Sequence, residues 1–320
     1  MKTFLLSLLL LMLCVAVSAQ GFLRVNLDSA YIGKPKEDWT FKGRINMSGS
    51  TVRVEGVQDE TKFSTDLSSD LKSTLSVAAS YRGLSIGLAL NPLKMLGRYG
   101  DFELNMNSYS NRYGIDVIYA KMNSYKGTQT FGDVVSEVDS RQVEQRMLTV
   151  NGYYAFNYKR FSYPAAFSQS QIQRKSCGSW LLGATWMSGY YDYSKTEDEK
   201  AKLQVRQLGL GGGYGYNFVI SRRWLLHMSS VCEMVVYAND RIESADERRD
   251  ASLRFPNFIT IGRMALVYTY SNKFLGFTAV VNTNAAGSES KVHIENVKWR
   301  ARLFYGIRIS NLFHAEKRRK

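Results

Sequence analysis

The segment from Val297 to Ile309 is apolar at every odd position, and this alternation constrains the fold more than any other feature of the chain. Four of the intervening positions carry the cations Lys298, Arg300, Arg302 and Arg308. Because successive side chains of a β-strand point to opposite faces, the segment predicts a strand with one apolar face and one charged face. A soluble sandwich and a membrane barrel both provide such surroundings, so this strand alone leaves both open.

The same period of two recurs along the chain and favours the barrel. Most of these runs are about nine to fifteen residues long, as a tilted strand needs in order to cross a bilayer. The predicted strands cover residues 39–47, 72–81, 84–91, 101–109, 112–122, 143–157, 178–191, 205–220, 224–237, 257–270, 273–282 and 294–309. The sequence therefore predicts an all-β, up-and-down antiparallel transmembrane β-barrel of about twelve strands.

The first nineteen residues resemble a secretory signal peptide. Lys2 supplies a positive start, an apolar run extends from Phe4 to Val17, and small residues precede a cleavage position after Ala19. We therefore expect export to the outer membrane of a Gram-negative cell. The expected organisation is a periplasmic segment at 20–38, a porin-like barrel at 39–313 and a basic tail at 314–320.

Composition narrows the class of partners. Tyr (20) and Phe (16) are abundant, Pro is rare (4), and the formal net charge is +14. In an exported chain this charge predicts contact with phosphate-bearing lipids or small anionic solutes rather than with nucleic acid. Removal of the signal peptide would leave the cysteines Cys177 and Cys232, which excludes a disulfide scaffold. The expected partners are outer-membrane lipid, lipopolysaccharide and the barrel assembly machinery, and no cofactor is expected.

The connections between the predicted strands alternate in length. Short turns lie at 82–83, 110–112, 221–223 and 271–272, and long polar loops are expected at 48–70, 123–142, 193–204, 238–256 and 283–291. Outer-membrane barrels place short turns in the periplasm and long loops outside. Residues 158–177 do not fit as a thirteenth strand, because they would reverse this pattern and because Pro164 disfavours a paired central strand. We expect a non-spanning connection or a plug there, with Phe161, Tyr163, Pro164 and Phe167 as its main residues.

A glycine-rich run gives the clearest interior face. Gly209, Gly211, Gly213 and Gly215 alternate with bulky residues, and their spacing matches neither a dinucleotide-binding motif nor a phosphate-binding loop. Positions without side chains on one face of a strand allow a bulky neighbour or an inserted segment to approach the wall.

Four blocks of sequence resemble a known bacterial family. They are FSYPAAFSQSQIQRKSCGSWLLG at 161–183, DSAYIGKP near the mature N-terminus, SYRGLSIGLALNP and GIDVIYAKMNSYKG. Together they resemble the family catalogued as domain of unknown function 4421, and the resemblance covers most of the mature chain. It implies an exported barrel of Gram-negative bacteria and no settled activity, so no functional residue is transferred.

Basic residues are expected in two places. Seven face inward by strand parity: Lys42, Arg44, Arg263, Lys298, Arg300, Arg302 and Arg308. They predict either an anion-preferring pore or an interior salt-bridge network with Glu103, Asp116, Glu233 and Glu295 that closes the lumen. Four others, Lys121, Arg146, Lys202 and Arg206, fall on the outward parity at external strand ends and are candidates for contact with lipopolysaccharide phosphates.

His227 is the candidate catalytic residue. It is expected in the lumen beside Ser229 and Glu233, and a serine nucleophile needs such a base within hydrogen-bond reach. A polar lumenal residue without catalytic function is the competing interpretation. The spacings of acyl-transfer and metal-binding motifs are absent from the sequence. A structural or assembly component, or a small-solute channel, is therefore the leading expectation, and an outer-membrane lipid hydrolase is the alternative.

Overall fold

The computed structural model describes residues 26–58, 61–81, 84–90, 101–139, 142–193, 201–244, 248–250, 257–288 and 292–310. The expected signal peptide at 1–19, the turn at 82–83, the expected end of the barrel at 311–313 and the basic tail at 314–320 lie outside these ranges. No helix in the described ranges is long and apolar enough to cross a membrane.

The described residues form β-strands almost throughout. One five-residue helix, α1 (Tyr163–Phe167), interrupts them. The strands are β1 (Ile32–Gly33), β2 (Trp39–Gln58), β3 (Thr61–Ser68), β4 (Lys72–Tyr81), β5 (Leu84–Leu90), β6 (Phe102–Tyr109), β7 (Tyr113–Met122), β8 (Lys126–Phe131), β9 (Val134–Val138), β10 (Glu144–Ala155), β11 (Ile172–Gln173), β12 (Cys177–Asp192), β13 (Ala201–Val219), β14 (Trp224–Ala238), β15 (Arg241–Ser244), β16 (Arg248–Asp250), β17 (Phe258–Tyr270), β18 (Lys273–Ser288) and β19 (Val292–Ile309).

Twelve of the described strands build one antiparallel sheet. Their pairings run in the order β6, β7, β10, β12, β13, β14, β17, β18, β19, β2, β4 and β5. The last barrel strand of the chain, β19, pairs with the first, β2, along its whole length, from Val292 opposite Gly56 to Ile309 opposite Trp39. This pairing joins the first and last barrel strands, and the sheet confirms the all-β, up-and-down antiparallel barrel of about twelve strands.

Burial alternates along the barrel strands as the sequence predicts. On β14 the side chains of Leu225, His227, Val231 and Glu233 are buried in the lumen, and Met228 on the opposite parity is exposed. The outer face carries large exposed apolar side chains, including Trp180 (68% exposed), Val77 (64%) and Leu303 (60%). The barrel is therefore apolar outside and mixed inside.

The short turns of the described barrel lie at one end, named here the turn end, and the long hairpins lie at the other, named the hairpin end. Four of the predicted long loops are corrected, because β2 continues to Gln58, β18 continues to Ser288, and residues 123–142 and 238–256 contain β8, β9, β15 and β16. Val52 and Val54 continue the inward parity of β2 and pack with Leu67 of β3. The surrounding Thr, Arg and Glu residues hide this apolar period from a reading of the sequence.

The two ends of the lumen are filled differently. At the hairpin end the side chains of Val52, Leu67, Tyr125, Tyr191 and Ile259 belong to one apolar cluster. Residues 158–176, named here the inserted segment, lie near the turn end and do not form a thirteenth barrel strand. Residues 161–169 of this segment, which include α1, fill the lumen there. Its Ile172–Gln173 strand pairs with Ile32–Gly33 of the N-terminal segment.

The seam between β2 and β19 predicts a specific cross-link. Ile45 and Leu303 are direct partners on the outer face, and paired residues of antiparallel strands have Cα atoms about 4.5–5.5 Å apart, which a disulfide bond can join. In a background of Cys177→Ser and Cys232→Ser, the double variant Ile45→Cys with Leu303→Cys should oxidise to a form with altered mobility in a denaturing gel.

The control shifts one cysteine by two residues along the same face. Ile45→Cys with Tyr305→Cys places the pair diagonally, about 7–8 Å apart, and should cross-link much less. Equal cross-linking of both pairs, or of neither, would contradict the closed seam.

Candidate functional site

The inserted segment is anchored in the lumen by buried aromatic rings. Phe161 and Tyr163 are fully buried, and the ring centroids of Tyr163 and Tyr153 are 4.3 Å apart. His227 of β14 lies under the same segment, with centroid distances of 5.0 Å to Tyr163 and 5.1 Å to Phe167. Burial of each aromatic side chain contributes about 1.5–3 kcal/mol, so the segment is a packed part of the molecule.

The helix itself begins with local capping. Ser162 is the N-cap residue, its Oγ accepts a hydrogen bond from Ala165 N at 3.2 Å, and Pro164 lies in the first turn. Proline suits that position because its missing N–H has no helical partner there and its φ is already helical. The helix thus explains the presence of Pro164, which disfavours a strand at this position.

The glycine face of β13 provides the room for this segment. A Cβ atom built on Gly215 would lie 3.1 Å from Cζ of Phe161 and 3.1 Å from Cβ of Ser229. Farther along, a Cβ atom on Gly209 would lie 3.1 Å from Oε2 of Glu233. The inward glycines therefore accommodate both the inserted segment and a buried carboxylate.

A hydrogen-bonded relay joins His227 to the wall and to the inserted segment. His227 Nδ1 lies 2.7 Å from Asn217 Oδ1, and His227 Nε2 lies 3.0 Å from Ser229 Oγ. Tyr163 donates its hydroxyl proton to Ser229 Oγ at 3.0 Å, and Asn217 Nδ2 donates to the carbonyl oxygen of Ser162 at 2.9 Å. In this order Asn217 stands where the group that orients the base would be, His227 where the base would be and Ser229 where the nucleophile would be. The rings of Phe161, Tyr163 and Phe167 cover it.

Two of the inward cations hold the end of the inserted segment. Lys42 Nζ donates to the carbonyl oxygen of Ser168 and, at 2.7 Å, to Oε1 of Gln169. Arg308 Nη2 donates to the carbonyl oxygen of Gln169 at 3.1 Å. Both cations also lie over the ring of Phe274. Carbonyl oxygens at the end of a helix lack helical partners, so this pair satisfies them.

Three further cations pair with carboxylates across the lumen. Arg263 Nη2 lies 2.9 Å from Asp116 Oδ2, and Lys298 Nζ lies 3.2 Å from Glu103 Oε2. Arg300 also pairs with Glu103. The other two carboxylates considered for this network differ, because Glu233 faces the glycines of β13 and Glu295 is exposed on the opposite parity of β19.

The remaining two cations have no carboxylate partner among the described residues. They are Arg44 and Arg302, and no described Asp or Glu lies within 4.0 Å of either guanidinium group. Both line a cavity with about 710 Å³ of space not occupied by atoms, together with Lys42, Arg263 and Arg300. We name this cavity the basic chamber and define it by these five cations. The inserted segment closes it on one side through Phe167, Ser168 and Gln169.

A second, less charged cavity lies beside the basic chamber, toward the hairpin end. It has about 570 Å³ of unoccupied space and shares Ile118, Asn151 and Asn282 with the basic chamber. Tyr191 in its wall accepts hydrogen bonds from Gln145 Nε2 at 3.1 Å and from Asn296 Nδ2 at 2.8 Å.

Tyr125, in the connection between β7 and β8, lies over this second cavity at the hairpin end. It donates to Oε1 of Gln145 at 2.6 Å, and burial raises the pKa of the Tyr125 hydroxyl well above its ordinary value. The hydroxyl therefore stays protonated and keeps this hydrogen bond at physiological pH.

Three of the four outward cations lie around Glu144 and Tyr190. Lys121 Nζ lies 3.0 Å from Oε2 of Glu144, and Arg146 Nε lies 2.6 Å from Oε1 of the same carboxylate. Lys202 lies over the ring of Tyr190, with Nζ 4.0 Å from the centroid. Arg206 is exposed on the outward parity of β13. No group of His, Cys, Asp and Glu in the described ranges is arranged to hold a metal ion.

The sequence matches the profile of the family described as a domain of unknown function (DUF4421) over residues 26–308. The chain belongs to this family. The match includes both the N-terminal strand β1 and the inserted segment that pairs with it, so the plug-like insertion lies within the family domain. No curated protein matches the chain.

Solved structures with some similarity are outer-membrane proteins. The translocator domain of the autotransporter NalP from Neisseria meningitidis has 8% identity and a TM-score of 0.33, with 83% of this chain and 88% of that chain covered. OprG from Pseudomonas aeruginosa has 10% identity and a TM-score of 0.28, with 87% and 99% covered. The toluene transporter TodX from P. putida has 9% identity and a TM-score of 0.28, with 86% and 91% covered. TM-scores this low do not establish a shared fold, and the barrel assignment rests on the strand pairing.

Sequence reasoning missed several residues of this site. Asn217, which orients His227, and Phe274, which lies beneath Lys42 and Arg308, were not predicted. Strand alternation could have indicated both. Asn217 lies opposite His227, and Phe274 lies opposite Gly306, two residues before Arg308 on the same face of β19. Gln169, with a φ of 55° and its carbonyl oxygen on Arg308, has no signal in the sequence.

The glycine face yields a prediction about the anchoring of the inserted segment. Gly215→Val should displace Phe161 and lower the free energy of unfolding in detergent by about 1–3 kcal/mol, as overpacking of a filled interior does. Gly212→Val is the matched control, because Gly212 lies on the outer face of the same strand and its nearest neighbour, Leu181 O, is 3.4 Å from an added Cβ atom. Denaturant unfolding followed by tryptophan fluorescence measures both. Equal losses in the two variants would mean that the inward glycines do not serve the inserted segment.

Proposed function

We propose that this protein is an outer-membrane barrel that admits small anionic solutes into its lumen, and that the inserted segment closes the lumen at the periplasmic end. The observation that carries the proposal is the basic chamber, where Arg44 and Arg302 have no carboxylate partner among the described residues. Rings of Arg and Lys in a pore favour anions over cations.

The outer surface supports a membrane location. Leu75, Val77, Leu182, Leu303 and Tyr305 are each more than half exposed, and all lie on the outward parity of barrel strands. Soluble monomers rarely expose apolar patches of this extent, whereas a membrane barrel needs an apolar outer band. The short-turn end then faces the periplasm and the hairpin end faces the exterior.

The salt bridges inside the lumen favour a gated solute path over a permanently open one. Arg263 with Asp116, and Lys298 and Arg300 with Glu103, form bridges across the lumen. The inserted segment and the apolar cluster at the hairpin end fill the two ends. A solute path therefore requires the inserted segment to move at the turn end and the apolar cluster to separate at the hairpin end, and the resting protein should conduct weakly.

Loosening the inserted segment should raise conductance. Replacement of Phe161 and Phe167 by Ala removes two ring contacts to His227 and should increase conductance in planar bilayers at least severalfold, with reversal potentials that favour anions. The matched control is Phe156→Ala, because Phe156 lies next to the segment but is 59% exposed. Unchanged conductance in a variant that still runs as a folded, heat-modifiable band would contradict the gate, and cation preference would contradict the anion path.

A lipid hydrolase is the second candidate, because Asn217, His227 and Ser229 stand in hydrogen-bond order. Such a site would require the rings of Phe161, Tyr163 and Phe167 to withdraw. Incubation of the Phe161→Ala and Phe167→Ala variant with phospholipid vesicles tests it. Fatty-acid release that disappears on Ser229→Ala would support the hydrolase, and unchanged lipid would remove it.

The outward cations support a contact with phosphate groups of lipopolysaccharide. Lys121 and Arg146 pair with the single carboxylate of Glu144, and Arg146 and Lys202 lie over the ring of Tyr190, so positive charge is in excess here. Insertion of the barrel by the assembly machinery of the outer membrane is part of the same proposal.

A further inference from the structure

We infer that the basic chamber is a binding site for a small organic phosphate, such as a phosphate monoester of a polar metabolite. The inference deepens the proposed function and rests on it, because it names the class of anion that the lumen receives. It requires that a solute can enter the lumen and that the chamber holds this solute by specific contacts.

The charge balance of the chamber calls for an anion. Among the described residues, five cations and one carboxylate, that of Asp116, line the chamber. Arg263 is neutralised by Asp116, and Arg300 pairs with Glu103. Lys42 donates to neutral oxygens of the inserted segment. Arg44 and Arg302 therefore carry two positive charges without a described counter-ion, and Lys42 adds a hydrogen-bond donor beside them.

Charge without a partner is expensive inside a protein, and a phosphate dianion relieves this cost better than a single carboxylate. Two guanidinium groups suit phosphate particularly well, because their planar donors match pairs of phosphate oxygens. Nε of Arg302 is buried and has no hydrogen-bond partner in the structure. Lys42 has three N–H donors, and two are used by the inserted segment, so one remains for a ligand.

The remaining lining of the chamber fits an organic group beside the phosphate. Asn105, Asn107 and Tyr109 of β6 contribute polar groups to one wall, and Phe167 and Phe304 contribute apolar surface. Inorganic phosphate would leave much of this lining without a contact, so the monoester should bind more tightly.

The chamber is separate from the outward cations and from the His227 relay. Neither Lys121, Arg146, Lys202 and Arg206 nor His227 and Ser229 line it. Variants of the chamber therefore leave the proposed lipopolysaccharide contact and the possible acyl-transfer residues unchanged.

Calorimetric titration of the folded protein in detergent tests the inference. The probes are glycerol 3-phosphate, inorganic phosphate and uncharged glycerol, and the protein carries the Phe161→Ala replacement, which loosens the inserted segment outside the chamber lining so that solutes can enter. The expected order of affinity is glycerol 3-phosphate above inorganic phosphate, with no binding of glycerol. Arg44→Gln and Arg302→Gln should each weaken binding of glycerol 3-phosphate by about tenfold or more.

Two further variants separate specific binding from general charge. Arg302→Lys keeps the charge but loses the planar donors, and its affinity should fall between those of the parent and Arg302→Gln. Arg53→Gln removes an exposed cation that pairs with Asp66 outside the lumen, and it should leave binding unchanged. A heat-modifiable band for each variant establishes that it is folded.

The outcomes distinguish this inference from the proposed function. Anion-selective conductance without phosphate binding would overturn the inference and leave the anion path intact. Saturable phosphate binding without conductance would overturn the path and leave the site. Equal loss of affinity in Arg53→Gln and Arg302→Gln would show that binding depends only on the net positive charge of the protein, and it would overturn the inference. Equal affinity for inorganic phosphate and glycerol 3-phosphate would overturn the organic ligand class.

Discussion

The pairing of β2 with β19 is the constraint on which the rest of the structure depends. Once the sheet meets itself there, every second side chain of each barrel strand is committed to a lumen of limited volume. A charged residue on the inward parity can no longer reach bulk water. Its charge must be balanced by a carboxylate, or its donors must bind a carbonyl oxygen or a ligand. The seven inward cations differ in which of these partners they have.

The inserted segment follows from the same constraint. A lumen lined by His227, Asn217 and the glycines of β13 would otherwise leave polar groups unsatisfied and the wall unpacked. Residues 158–176 supply aromatic rings to the glycine face, while Ser168 and Gln169 supply acceptors to Lys42 and Arg308. The segment thus serves packing and charge at once. Arg44 and Arg302 lie beyond its reach, and their excess charge forms the basic chamber on its inner side.

The sequence predicted the barrel strands well because their signal is local. The predicted strands at 72–81 and 224–237 agree with β4 and β14 to within one residue. In each, an outward face with repeated apolar residues can be recognised from neighbouring positions alone. The region at 48–70 was wrong because its inward residues Val52 and Val54 stand among polar neighbours, and their partner Leu67 lies on another strand. Contacts of this kind are decided by register, which a single sequence does not encode locally.

The sequence predicted which side chains of the candidate site face the lumen, but not which cations pair with carboxylates. Strand alternation placed Lys42, Arg263 and Arg302 inside. It could not decide that Arg263 meets Asp116 across the lumen while Arg302 meets no described carboxylate, because those distances depend on the stagger of strands far apart in the sequence. The helix in the inserted segment was also beyond reach, since five residues around Pro164 carry little helical signal.

Amide hydrogen exchange of the membrane-embedded protein tests the central claim that the inserted segment is packed inside the lumen. The N–H groups of Ser162 and Ala165 are buried and donate to Gln173 Oε1 and Ser162 Oγ. The account predicts that peptides covering residues 161–169 exchange as slowly as the neighbouring strands β12 and β13, while the exposed hairpin of β8 and β9 exchanges fast. Exchange of residues 161–169 as fast as that of the hairpin would contradict it.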